Sequence, residues 1–69
     1  MINQEKINMR FIELYDPENG YYQVNVNHIV WFKEIEDFRY DGTAVKLSDG
    51  KVIQVSQTVK EIYNALWKN

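Results

Sequence analysis

The chain has 69 residues, room for one small domain, and its 45% hydrophobic and 26% charged residues give the balance of a globular protein. Eight basic against ten acidic residues leave a formal charge of -2, so no excess of positive charge draws the whole molecule to a phosphate backbone. The absence of cysteine, with a single histidine, excludes disulfides, thiolate metal sites, cysteine nucleophiles and two-histidine metal motifs.

Residues 1–8 are polar and read as a frayed lead-in, with no basic segment followed by an apolar run of the kind that marks a signal peptide. Residues 9–69 read as a single β-rich domain. The first strand, from Met9 to Tyr15, sets Arg10, Ile12 and Leu14 on one face and Phe11, Glu13 and Tyr15 on the other. Asp16-Pro17-Glu18-Asn19-Gly20 is a turn, because proline presets φ and Asn-Gly tolerates positive φ. Tyr22, Val24 and Val26 then alternate with Tyr21, Gln23 and Asn25 in a second strand.

Asn27-His28 is a short break before a third strand from Ile29 to about Phe38. Ile29–Phe32 is the longest apolar run, far below the roughly 20 residues that span a bilayer, so no membrane insertion is expected and the cytoplasm is the default location. Asp41-Gly42 and Asp49-Gly50 are each two-residue hairpin signals. Between them Thr43, Val45 and Leu47 alternate with Ala44, Lys46 and Ser48, and beyond them Ile53 and Val55 alternate with Val52 and Gln54.

The period then changes from two to that of a helix. Val59, Ile62, Tyr63 and Leu66 form one helical stripe, Thr58 and Glu61 have the spacing of a capping box, and Lys68 puts a cation in the last turn. The expected fold is α+β and mostly β: a five-stranded antiparallel meander or small open barrel with one C-terminal α-helix. The helix covers one sheet face only, which leaves the other to a partner or to a second copy of the chain.

Catalytic patterns are missing. The three glycines all fall in expected turns instead of a phosphate cradle, and no residue spaced near His28 suggests an oriented acid–base pair. Glu34, Glu36 and Asp37 form the densest acidic surface, with Glu34 and Glu36 on one strand face, but no calcium-loop pattern accompanies them. They read as a solvated edge whose like charges discourage strand addition. No enzyme activity, cofactor or metal is expected.

The third strand carries the functional signal, because Ile29, Val30, Trp31 and Phe32 put bulk on both faces at once. If Phe32 packs with Val24, Val45 and the helix, Trp31 projects outward with Ile29 and Ile35. Phe11, Tyr15 and Tyr21 extend that patch from neighbouring strands, and Tyr40 adds to it from the hairpin. Aromatic side chains on an uncovered sheet face are the material of protein-binding hot spots. The alternative is a nucleic-acid surface in which Lys33, Arg39, Lys46 and Lys51 interleave with Trp31 and Tyr40.

Two family resemblances meet on these residues. Asn19–Ile29, with its Asn-Gly hairpin and Val-Asn-x-x-x-Ile step, resembles the small flagellar FlbD/SwrD family. So do the Thr43–Lys51 hairpin and the Thr58–Ile62 helix start, and the resemblance spans about residues 9–66. It implies a non-enzymatic protein that acts on a larger assembly. Residues 26–66 are also similar to the C-terminal part of LytTR DNA-binding domains, in which an Ile-Glu strand end precedes an Asp-Gly hairpin, a strand and a capped helix. The preferred expectation is a small interaction module that regulates or inhibits another protein through an aromatic sheet face or strand edge. Phage- and plasmid-borne inhibitors of host machinery belong to the same class, and a LytTR-like nucleic-acid-binding regulator is the alternative.

Overall fold

A computed structural model describes residues 10–37 and 40–67, with the side chains of residues 37–41 outside that description. Among the described residues five strands precede one helix: β1 (Phe11–Asp16), β2 (Gly20–Asn25), β3 (Ile29–Asp37), β4 (Tyr40–Leu47), β5 (Val52–Val55) and α1 (Val59–Leu66). A 3₁₀ turn at Val26–His28 lies between β2 and β3. The expected lead-in at residues 1–8 and the cation at Lys68 lie outside the described residues.

The strands are antiparallel but divide into two sheets, β1-β2 and β3-β4-β5, which corrects the expectation of one five-stranded meander. A 3₁₀ turn separates the last strand of one sheet from the first of the other: Asn25 accepts the Asn27 amide through its side chain at 2.9 Å, and Ile29 N–H returns to the Val26 carbonyl.

A second correction concerns Asp41-Gly42. These residues are not a turn: Asp41 pairs with Glu36 and Gly42 with Ile35 inside the β3–β4 ladder, and the chain reverses between Asp37 and Tyr40. The glycine serves close approach instead, since a Cβ at Gly42 would overlap the Val55 carbonyl oxygen. Gly20 and Gly50 do supply positive φ, at +98° and +92°, after β-turns closed by Asn19 N–H to Asp16 O and by Gly50 N–H to Leu47 O.

Inward alternation from both sheets meets in one core. Ile12 and Leu14 of β1, Val24 of β2, Val45 of β4, Ile53 and Val55 of β5 and Ile62 of α1 are all buried, with Tyr22, Val26, Ile29, Phe32, Leu47, Ala65 and Leu66 packed around them. Each fully buried aliphatic side chain stabilises the fold by about 1.5–3 kcal/mol, which is why the helix docks at all. Its start is the capping box read from sequence: Glu61 N–H donates to Thr58 Oγ1 at 3.0 Å, and Thr58 N–H to Glu61 Oε1 at 2.9 Å. Tyr63 leaves the expected stripe and is exposed, because Ala65 and Leu66 complete the docked face beside Ile62.

Among the described residues two bonds tie β1 to the segment that follows β5. Ser56 N–H donates to the Tyr15 carbonyl at 2.8 Å, and Tyr15 N–H donates to Gln57 Oε1 at 2.9 Å. Beside them the fully buried Thr43 hydroxyl donates to the Gln57 carbonyl at 2.7 Å.

Candidate functional site

A β-bulge shapes the outer face of β3-β4-β5. Ile29 pairs with Leu47 and Trp31 with Lys46, so Val30 is the extra residue on β3. The alternation therefore slips by one: Ile29 stays packed on the core, and Val30 and Trp31 are both left solvent-accessible, at 57% and 40% exposure. This corrects the expected grouping of Ile29 with Trp31. Phe32, opposite Val45, returns to the core side.

Register places the neighbours of Trp31. Across the sheet run Trp31, Lys46 and Val52 in one row and Lys33, Ala44 and Gln54 in the next. Val52 is 47% exposed, and Lys33 Nζ lies 5.6 Å from the Trp31 ring centroid, within cation–π range. The small Ala44 is buried between Lys33 and Gln54 in the register. Ile35 is half-buried beside Gly42 at the far end of the same face. Among the described residues this face thus holds Val30, Trp31 and Val52 with two lysines and no carboxylate.

Glu34 and Glu36 are exposed but alternate to the other side of β3, with Phe32. The side chains of Asp37 and Tyr40, whose backbones pair with each other, and Arg39 lie outside the described residues. Of the basic set, Lys33 and Lys46 come together around Trp31, while exposed Lys51 follows the β4–β5 turn and accepts the Leu47 amide through its carbonyl.

Phe11, Tyr15 and Tyr21 stand on the outer face of the other sheet, so the single patch read from sequence is divided between two sheets. Tyr15 and Tyr21 are directly paired across β1–β2, with ring centroids 4.8 Å apart. Phe11 is set apart from them by Glu13 and Gln23.

Three groupings escaped the sequence reading. Tyr63 of α1 and Trp67, which caps its C-terminal end, form an exposed aromatic pair with centroids 6.1 Å apart, and their i, i+4 spacing is the available signal. Arg10 reaches from the start of β1 to the end of α1, donating to the Leu66 and Ala65 carbonyls at 2.8 and 2.6 Å; nothing in the local pattern announces it. His28 Nδ1 lies 2.8 Å from Ser48 Oγ, a contact between residues twenty positions apart. It borders a groove of about 480 Å³ lined by Phe11, Gln23, Asn25, Leu47 and Asp49 among others. Ser48 N–H also donates to the His28 carbonyl at 2.7 Å, and Asp49 Oδ1 accepts the Lys51 amide at 2.9 Å. The carboxylate nearest the pair in sequence is therefore engaged in its own turn, and the histidine–serine contact ties the 3₁₀ turn to the β4–β5 turn.

Hydrogen bonds from the Asn19 side chain and the Glu18 amide hold the Asp16 carboxyl below the usual aspartate value. Among the described residues no group of three or more His, Cys, Asp or Glu side chains could hold a metal ion, and no helix is long and apolar enough to cross a membrane. Comparison of the chain with protein-family models, curated proteins and solved structures finds no match.

Proposed function

We propose that the protein is a non-enzymatic cytoplasmic docking module that regulates a larger protein assembly through the outer face of β3-β4-β5. The observation that carries this reading is the bulge at Val30, which leaves two consecutive apolar side chains solvent-accessible on a face that also exposes Val52, beyond Lys46. Strict alternation would have sent one of the two inward. Bulges re-aim side chains at the cost of a ladder position, and apolar groups clustered on a sheet face are the material of a protein interface. The Tyr15–Tyr21 pair is a weaker candidate, because its rings already satisfy each other across the hairpin.

The test is affinity capture from the native host with nuclease treatment, comparing wild type with a Val30→Ser/Val52→Ser double variant whose thermal melt is unchanged. The expected result is a stoichiometric protein retained by wild type after nuclease and lost by the variant. Equal recovery with both proteins would remove this face from the function.

A further inference from the structure

Among the described residues the docking face carries lysines and no carboxylate, opposite in sign to the net charge of the chain, and we infer that the partner brings an acidic segment with apolar side chains onto Trp31, Lys33 and Lys46. This inference rests on the docking reading above and adds the chemistry of the partner to it. A chain of formal charge -2 suggests a basic target on its face value. Contact chemistry is decided nearer at hand, because screening limits exposed charges to about 8 Å at physiological ionic strength, while cross-strand neighbours stand about 5 Å apart.

Within that range Trp31 has Lys46 directly across the ladder and the Lys33 ammonium 5.6 Å from its ring. Glu34 and Glu36 alternate to the opposite side of β3. The face therefore sets two cations beside an apolar centre, a match for carboxylates next to an apolar anchor.

A single-stranded nucleic acid fits less well. Such strands are held by successive aromatic platforms and a continuous basic groove. Here one ring has Val30 beside it and Val52 beyond Lys46 in the same row, neither of which offers a face for stacking, and two lysines match a few carboxylates better than a run of phosphates. A second copy of the chain fits less well too, since two-fold pairing of this face on itself sets lysines near lysines.

The experiment is selection of a displayed random dodecapeptide library on the immobilised full chain. Peptides that also bind the Val30→Ser/Val52→Ser variant are removed, and affinities of the enriched peptides are measured by fluorescence anisotropy. The expected result is enrichment of peptides combining Asp or Glu with large apolar residues. Their affinity should fall about five- to tenfold in Lys33→Gln/Lys46→Gln and weaken as salt is raised, with Lys60→Gln behaving as wild type. Enrichment of basic or uncharged peptides would overturn the acidic partner and leave the docking face standing. A selection emptied by that depletion, because every binder of wild type also binds the valine variant, would instead remove the face, and this inference with it. An oligothymidylate that binds more tightly than the selected peptides and is lost in Lys33→Gln/Lys46→Gln would transfer the face to nucleic acid. Light scattering that shows a dimer abolished by the valine substitutions would assign it to a second copy.

Discussion

Asp16 and Thr43 are polar side chains buried in a domain with little interior, and each is matched by partners that explain its burial. Asp16 Oδ1 accepts the Glu18 and Asn19 amides at 2.8 and 3.3 Å, and Oδ2 accepts the Asn19 side-chain amide at 2.9 Å. The carboxylate thus holds together the turn that proline and glycine make possible, and its negative form is the form the turn prefers. Because those bonds lower its pKa in the folded chain, its contribution to stability is complete above the ordinary aspartate value. It is lost as pH falls through the lowered folded value. Wild type should therefore lose thermal stability at the acid end of the carboxylate range. Asp16→Asn should be less stable than wild type at neutral pH and lose less over the same acid interval. Melting curves across that interval check this, and parallel losses in the two proteins would show that Asp16 does not titrate with folding. Gly42 teaches the complementary lesson: an Asp-Gly pair has two uses, and here the need for room against the Val55 carbonyl outweighs the turn propensity.

Helix α1 has eight residues, too few to persist alone in water, and it is fixed at both ends as well as along its face. The capping box satisfies the start. At the other end the Arg10 guanidinium donates to two terminal carbonyls and sets a positive charge at the negative end of the helix dipole. Arg10→Ala should cost about 1–2 kcal/mol, with loss of helical circular dichroism and faster amide exchange in the last turn. Arg10→Lys should recover part of that, since it keeps the charge and loses the planar fork. An unaltered melt in Arg10→Ala would mean that the core alone holds the helix. Of these features, the cap was legible because Thr58 and Glu61 are local, and the strand faces were legible because alternation is local. The Arg10 contact spans more than fifty residues and leaves no local trace. The same distinction explains the candidate face. An outward Trp31 opposite an inward Phe32 follows from period two, but which of Ile29 and Val30 joins it depends on a bulge set by pairing with Lys46 and Leu47. Tyr63 follows the same rule: its stripe position suits burial, and only the position of the sheets shows that Ala65 and Leu66 take the docked side.

The molecule as a whole is two small sheets made into one unit by a shared core and by the segment after β5. An isolated two-stranded hairpin is marginal in water, so β1-β2 depends on what it is attached to. Tyr15 is the attachment point, with its carbonyl bonded to Ser56 N–H and its N–H bonded to the Gln57 side chain, while the Gln57 carbonyl accepts the Thr43 hydroxyl. One residue thus connects both sheets and leads into the helix cap at Thr58. Gln57→Ala removes the partner of the Tyr15 amide and leaves the Thr43 bond, which uses backbone, in place. Stranding a partly buried donor costs about 1–3 kcal/mol, and for a chain of this size each kcal/mol lowers the thermal midpoint by about 4–8 °C. The midpoint should therefore drop by several degrees or more, and the Tyr15 amide should exchange faster, with the β1-β2 ladder losing protection before β3-β4-β5 does. A wild-type midpoint with full Tyr15 protection would place the cohesion of the sheets in the core alone. The face proposed for docking lies wholly on the three-stranded sheet, so the same variant should keep binding to that face at temperatures below its melt. Loss of both together would show that the face needs the first hairpin to hold its shape.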